Sequence, residues 1–243
     1  MSTMAICKIK LKGHQEIASG TMAFHFEKPD GFAYKAGQFG DLTLINPPET
    51  DTEGNTRGFS LASAPYEGDL MMATRMRDTA FKRVWKTMEI GTEISLDAPY
   101  GSFTLHDDAS IPAVFLSGGI GITPVRSIVL QAAHDKLPHR IFLFDSNRKP
   151  EFAAFLNDLT EAQKENPNFT LIGTMTEMGK SGEEWSGETG YITKVMLAKS
   201  LPDLSLPIFY IAGPKAMVAA MRKVLDEAGV KDNKIRTEEF TGY

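Results

Sequence analysis

The stretch AVFLSGGIGITPVRSI, residues 113–128, decides the fold: an apolar run meets three glycines and then passes directly into a helical pattern. Ala113 to Gly118 carry no charge and read as a buried strand. Gly118, Gly119 and Gly121 permit a tight turn and a close backbone approach, and the amides that open the following helix form a cradle suited to a pyrophosphate. Pro124 stands near the helix start, where its missing N–H is tolerated. The spacing is neither G-x-G-x-x-G nor G-x-x-x-x-G-K-[ST]. A glycine turn without a ligand would show the same pattern.

Downstream of this stretch, β-branched and aromatic runs alternate with longer helical ones. The strand candidates are RIFLFDS, FTLIGTM, PIFYIAG and the terminal IRTEEF; helices are expected near Pro124 to His134, Glu151 to Glu165, Thr193 to Ser200 and Pro214 to Gly229. That alternation predicts an α/β unit with a parallel sheet. The loop MGKSGEEWSGETG is expected to be its most mobile part, placed where a ligand would be covered.

Upstream the texture differs. AICKIKLKG, TMAFHFEKP, GDLTLINPP, GFSLASAP, DLMMATRMR and TEISLDAP are short and separated by Gly, Pro, Asn and Asp, which predicts an antiparallel β-barrel. TAFKRVWKTM, residues 79–88, interrupts them with Phe81, Val84, Trp85 and Met88 at helical spacing, so a short helix is expected to cap one end of the barrel. The change of texture after LHDDASIP puts the boundary near Asp108. The expected organisation is two domains, residues 1–108 as the barrel and 109–243 as the α/β unit.

Composition narrows the function. A formal charge of −5, with 42% hydrophobic and 23% charged residues, describes a globular chain without a general basic field for nucleic acid or anionic lipid. No apolar run reaches the ~18 residues of a membrane span, and MSTMAICKIKLKG lacks the apolar core of a signal peptide, so cytoplasmic residence is expected. Cys7 is the single cysteine, which rules out an internal disulfide or a four-thiolate cluster; any iron–sulfur centre is expected on another protein. The five histidines show no compact ligand spacing, and no metal site is expected.

In RGFSLASAP, residues 57–65, Arg57 and Phe59 lie two apart and face one side of a strand, an arrangement that offers one ligand a phosphate clamp and a ring face. Ser60 joins them only if the strand twists or ends there. A structural edge strand would also carry such residues.

Taken together and in order, RGFS, GGIGITP and YIAGPKAM resemble the R-x-[YF]-S, G-G-x-G-x-[TS]-P and [CA]-G-P-x-x-M motifs of the ferredoxin–NADP reductase superfamily, and DAPYGSFTL resembles its G-P-x-G-x-F strand, with Ala98 in place of glycine. The resemblance implies FAD in the first domain and NADH or NADPH in the second. Arg57 would meet the FAD pyrophosphate with Gly58 beside it, Phe59 would pack on the flavin in place of the commoner tyrosine, and Ser60 would lie near the reactive N5 edge. Thr79, Ala80, Phe81 and Lys82 correspond to a second phosphate clamp, with Lys82 where a hydroxyl is usual. Gly118, Gly119, Gly121, Thr123, Pro124, Thr176, Gly213, Pro214 and Met217 would serve the nucleotide, with Ala212 where many relatives carry cysteine. At the end of the chain, Glu238 or Glu239 would supply a catalytic carboxylate together with Ser60, and Phe240 or Tyr243 an aromatic lid.

The implied reaction is hydride transfer between the nicotinamide and flavin N5, coupled to a separate one-electron carrier such as a ferredoxin, a flavodoxin or an oxygenase component. Two other readings stand beside it: a reductase of free flavin or small acceptors, and a non-catalytic flavin-binding regulatory subunit. Thr174, Thr176 and Glu177 stand where NADPH-selective relatives place a Ser-Arg pair, which favours NADH, whereas Arg148 or Lys180 would favour a 2′-phosphate.

Overall fold

The computed structural model describes residues 5–180, 182 and 184–240. The N-terminal half is a six-stranded antiparallel sheet made of β1 (Ala5–Ala18), β2 (Thr21–Glu27), β3 (Phe39–Leu44), β4 (Thr56–Ser60), β5 (Asp69–Arg75) and β6 (Glu93–Tyr100), in the order β4-β3-β6-β1-β2-β5. β1 is long enough to pair with β6 through residues 5–10 and with β2 through residues 11–18. Its alternation explains which side faces in: Ile9 and Leu11 are buried, while Lys8, Lys10 and Lys12 are exposed. The sheet curls until β4 and β5 approach. No ladder joins these two edges, but just past β4 the amides of Ala62 and Ser63 donate to the Met71 carbonyl at 2.8 and 3.3 Å.

The expected capping helix is α1 (Ala80–Lys86), with the Thr79 hydroxyl accepting from the Lys82 amide at its start. It presses Phe81 and Trp85 into the barrel, where Trp85 is fully buried and stacks on Phe24 at 4.2 Å.

The C-terminal half holds a parallel sheet of β7 (Ala113–Gly118), β8 (Ile141–Asn147), β9 (Phe169–Met175), β10 (Glu188–Thr189), β11 (Ile208–Pro214) and β12 (Ile235–Phe240), ordered β10-β9-β8-β7-β11-β12. Strand order reverses between β7 and β11. In such sheets the crevice beyond the strand ends at that point is where ligands bind. α2 (Ile122–His134) and α3 (Leu156–Glu165) cover the face that carries Phe115, Leu143 and Tyr210, while α4 (Lys194–Ser200) and α5 (Lys215–Glu227) cover the face with Leu116, Phe144 and Ile211. The α2 core runs on without a break into Ala62, Met71 and Phe103 of the barrel. Among the described residues no helix is long and apolar enough to cross a membrane.

One helix differs from expectation. The 151–165 pattern begins instead with a single 3₁₀ turn, Pro150–Phe152, and Phe155 adopts a left-handed φ of 61° before α3 starts at Leu156. The cause is tertiary: the Ser19 amide at the end of β1 donates to the Glu151 carbonyl at 2.8 Å and Arg75 lies over the Phe152 ring, so this segment is bent to meet the barrel. β10, only two residues long, is also outside the expected strands; it pairs parallel to β9 through Thr174 and Met175.

The halves are locked by Arg126 on α2, whose side chain is only 7% exposed. Its guanidinium donates to Glu67 at 2.8 and 3.1 Å and to the Ala62 carbonyl at 2.9 Å on the barrel side, and to Asp158 of α3 at 2.7 Å. Next to it, Ser127 Oγ donates to the Ser63 carbonyl at 2.6 Å. At the other end of the sheet, the connecting segment is fastened where the His106 amide donates to the Tyr210 hydroxyl at 2.9 Å and Arg236 donates to the Thr104 carbonyl at 2.8 Å.

Replacing Arg126 with Met leaves Glu67 and the Ala62 carbonyl without their partner. Because the carboxylates are partly exposed, the expected loss is roughly 2–3 kcal/mol, below the 3–5 kcal/mol of a wholly buried pair. Chemical denaturation measures it, and a variant with unchanged stability would show that the network does not hold the halves together.

Candidate functional site

Between the halves lies a cleft of about 320 Å³. Its barrel wall carries Arg57, Gly58, Phe59 and Ser60 from β4, Arg75 at the end of β5, and Arg77, Thr79, Phe81 and Lys82 around the start of α1. Across from them stand Ile120 and Thr123 after β7, and Phe240 at the end of β12. The sequence motifs thus converge, though they lie up to 183 residues apart in the chain (Arg57 to Phe240).

Arg57 and Phe59 share one side of β4, as their spacing requires. Phe59 packs on Trp85 at 4.5 Å and on Phe81 at 5.7 Å, which fixes the ring that lines the cleft. Ser60 reaches the same cleft because β4 ends there. The Arg57 guanidinium turns into its own hairpin loop: it donates to the carbonyls of Glu53, Gly54 and Thr56 at 2.8–3.0 Å, to Asp51 at 3.1 Å, and pairs with Glu53 at 2.9 Å. The second Asp51 oxygen accepts from the Ala80 amide at 3.2 Å. A carboxylate of the chain itself therefore bridges two groups suited to an anion.

Lys82 points into the cleft and donates to the Arg75 carbonyl at 2.7 Å. Burial, followed by the nearby charges of Arg77 and Arg57, lowers its ammonium to about 8. Arg75 and Arg77 add positive charge that the family motifs do not mention. Their signal in the sequence is the alternation of cations in TRMRD just before the helix.

Ser60 and Glu238 meet from opposite halves. Glu238 is half-buried on β12 and Glu239 faces outward, which separates the two candidates. Burial pushes the Glu238 carboxyl up to about 7, opposed by the neighbouring Ser60 hydroxyl. Both Ser60 Oγ and Glu238 Oε2 are buried without a well-formed hydrogen bond, a pair of orphaned polar atoms suited to a bound polar group.

The remaining motif residues gather at the strand ends beside the cleft. A Cβ on Gly121 would stand 2.1 Å from the Ala212 carbonyl oxygen, so only glycine lets the β7 turn pass β11. A Cβ on Gly118 would meet Met217 Sδ at 2.1 Å; that thioether also lies against Gly213, so the GGIG and AGPxxM segments pack as one surface. Pro124 is buried in the first turn of α2, Gly119 takes a φ of 53°, and Pro214 immediately precedes α5. Thr176 lies farther off: its amide and hydroxyl bond the Asn147 carbonyl at 2.9 and 3.3 Å. Tyr243 lies outside the described residues. Among the described residues no cluster of His, Cys, Asp and Glu is arranged to hold a metal ion.

The residues present fit a flavin dinucleotide: a ring face, a cationic rim, an internal anion marking the phosphate-like place, and two orphaned polar atoms. Because burial raises the Glu238 carboxyl, its ionisation costs stability as pH rises from its ordinary value of 4.5 to about 7. Glu238→Gln should flatten that part of a melting-temperature profile. An equal slope in both proteins would show that Glu238 titrates normally.

Residues 115–223 match the oxidoreductase NAD-binding domain family. The chain is 26% identical over 223 residues to the glycine betaine monooxygenase reductase subunit of Chromohalobacter salexigens, covering 90% of this chain and 60% of that one. It is 26% identical over 219 residues to the propane 2-monooxygenase reductase component of Rhodococcus jostii, with 88% and 57% covered. The chain thus spans little more than half the length of these relatives. Among solved structures, an Amycolatopsis cytochrome P450 reductase superposes with a TM-score of 0.83 at 21% identity, over 99% of this chain and 72% of that one. A Neisseria gonorrhoeae ferredoxin NADP+ reductase with bound FAD and NADP superposes with a TM-score of 0.78 at 21% identity, over 96% and 98%. Residues 115–223 thus match an oxidoreductase NAD-binding domain, and the barrel joined to a parallel sheet has the fold of ferredoxin–NAD(P) reductases, whose motifs the chain resembles in order.

Proposed function

We propose that the protein is an FAD-dependent NAD(P)H oxidoreductase that takes hydride from the nicotinamide nucleotide and delivers electrons singly to a separate carrier protein. The observation that carries this reading is the meeting of Ser60 and Glu238 from opposite halves, with their polar atoms unpaired, beside a cation-lined cleft. Bound FAD would supply the redox chemistry, coupling two-electron exchange with the nucleotide to one-electron exchange with the carrier. Lys82, Arg77 and Arg75 would attract its diphosphate, and Arg57 would join them where Asp51 bridges it to the Ala80 amide. Phe59 gives the ring plane, and Ser60 and Glu238 hold a proton at the reacting edge. Phe240 shields the cleft and must yield when the nicotinamide enters. The reductase names of the relatives support a protein acceptor over a small one.

For the nucleotide, NADH is the favoured donor. Arg148, one of the two cations that would favour a 2′-phosphate, lies 3.8 Å from Glu177, and the Glu177 amide donates to the Arg148 carbonyl at 2.8 Å, so a carboxylate stands where NADPH would bring more negative charge.

Purified protein should bind FAD, and NADH should bleach the flavin under anaerobic conditions; a chain that no flavin reconstitutes would end the proposal, and bound flavin reduced by neither nucleotide would point to a regulatory subunit. Since Lys82 is charged below about pH 8, FAD affinity should fall as pH rises through that value, and Lys82→Met should bind more weakly with a flatter profile. Fluorescence titration reads both. In steady-state assays kcat/KM should be higher for NADH than NADPH, and Glu177→Gln should narrow the gap; a clear NADPH preference in the unmodified protein would reverse the assignment.

A further inference from the structure

Under the strand ends of the C-terminal half lies a carboxylate with no place in the mechanism above. Asp145 of β8 is wholly buried. One of its oxygens accepts from Ser117 Oγ at 2.5 Å, the other from Asn147 Nδ2 at 2.7 Å. Both donors belong to strand ends that lead into nucleotide motifs. Ser117, paired with Asp145 across the β7–β8 ladder, immediately precedes Gly118 and Gly119. The carbonyl of Asn147 accepts from the amide and hydroxyl of Thr176, and the next carbonyl, of Arg148, accepts from the Glu177 amide. These hydrogen bonds, joined through the backbone of Asn147 and Arg148, link Ser117 at the edge of the glycine turn, through Asp145, to Thr176 and Glu177, where the resemblance places the contact to a 2′-phosphate.

A buried charge is costly unless it is paired and hydrogen-bonded, so a site that keeps one without a cation points to a property that a neutral side chain does not supply. Among the described residues Asp145 has no cationic partner; burial pushes its carboxyl up to about 6, and only the Ser117 hydroxyl and the Asn147 amide oppose that. Neither Arg148 nor Glu177, the nearest charged pair along the chain, contributes to its titration, and nor does any charged group on β7, β9, α2 or α3. What the carboxylate alone provides is two acceptor oxygens at once. An Asn or a protonated Asp offers one acceptor and one donor, so one of the two links must turn over.

We infer that Asp145 is a positioning residue for the nucleotide, tying the 118–121 turn to the 174–177 segment so that both ends of the dinucleotide meet a prearranged surface. This rests on the proposed nucleotide site. The ligand class is a nicotinamide dinucleotide, and the coupling acts on its affinity.

Calorimetric titration of the purified protein with NAD+, from pH 5.5 to 8, tests the assignment without turnover. In the unmodified protein NAD+ binding should weaken as pH falls through about 6, where Asp145 takes up its proton. Asp145→Asn should bind NAD+ roughly tenfold more weakly at pH 7.5, the loss of one charge-assisted hydrogen bond, and should lose the pH dependence. Its melting temperature should hold or rise, since a buried charge has been removed, which a purely structural role for Asp145 would not give. Ser117→Ala cuts only the link to the glycine turn and carries the same test if Asp145→Asn does not fold. Equal affinity in the variants, or a weakening that is the same at every pH, would overturn the inference alone. An unmodified protein that binds neither NAD+ nor NADP+ would overturn the nucleotide site and this inference with it.

Discussion

Everything in the cleft depends on the two halves being held in one arrangement, and the constraint that holds them is the buried guanidinium of Arg126. A single helix, α2, does two things within one turn and a half. It opens at the glycine turn with Thr123 on the cleft, and three residues later it sends Arg126 into the barrel to Glu67 and the Ala62 carbonyl. A displaced α2 would move the glycine turn relative to β4 and open the cleft. Burying such an ion network yields little net stability compared with apolar packing, because desolvation offsets most of the attraction. Its value is geometric: five donors in a rigid fork accept few alternative dockings. The apolar contacts around it, from Ala62, Met71 and Phe103 to Val125 and Val129, supply area but far less direction.

Within that frame, burial moves Lys82 on the cleft and Glu238 beside Ser60 toward neutral pH from opposite sides. Lys82 is brought down to about 8 by desolvation and neighbouring cations, and Glu238 is brought up to about 7 by desolvation alone, with Ser60 opposing. The first change favours an anionic ligand, whose charge would restore the ammonium. The second keeps a proton available beside Ser60. Asp51 and Glu53 complete the pattern, since they balance Arg57 from the hairpin loop and keep a cationic rim from standing uncompensated.

The sequence by itself determined what depends on local sterics and period. Alternation in AICKIKLKG dictated which side of β1 is buried, the glycines of GGIGITP dictated a turn that no side chain could occupy, and the spacing of Phe81 and Trp85 dictated a helix that caps the barrel. These signals act over a few residues, so they survive any tertiary context. The order of the motifs carried the resemblance to ferredoxin–NAD(P) reductases as well. The rest was decided only in three dimensions. Nothing local says which of Glu238 and Glu239 is half-buried; that comes from which side of β12 meets Ser60. Nothing local delays α3 until Leu156; the barrel bends the chain there through Ser19 and Arg75. The partners of Arg126 lie 59 and 32 residues away, and Asp145 acquires its raised acidity range only once the sheet and its helices have removed the water. Charge pairing, desolvation and backbone bending under contact depend on distances in space that spacing along the chain does not encode, which is why tertiary structure alone could supply them.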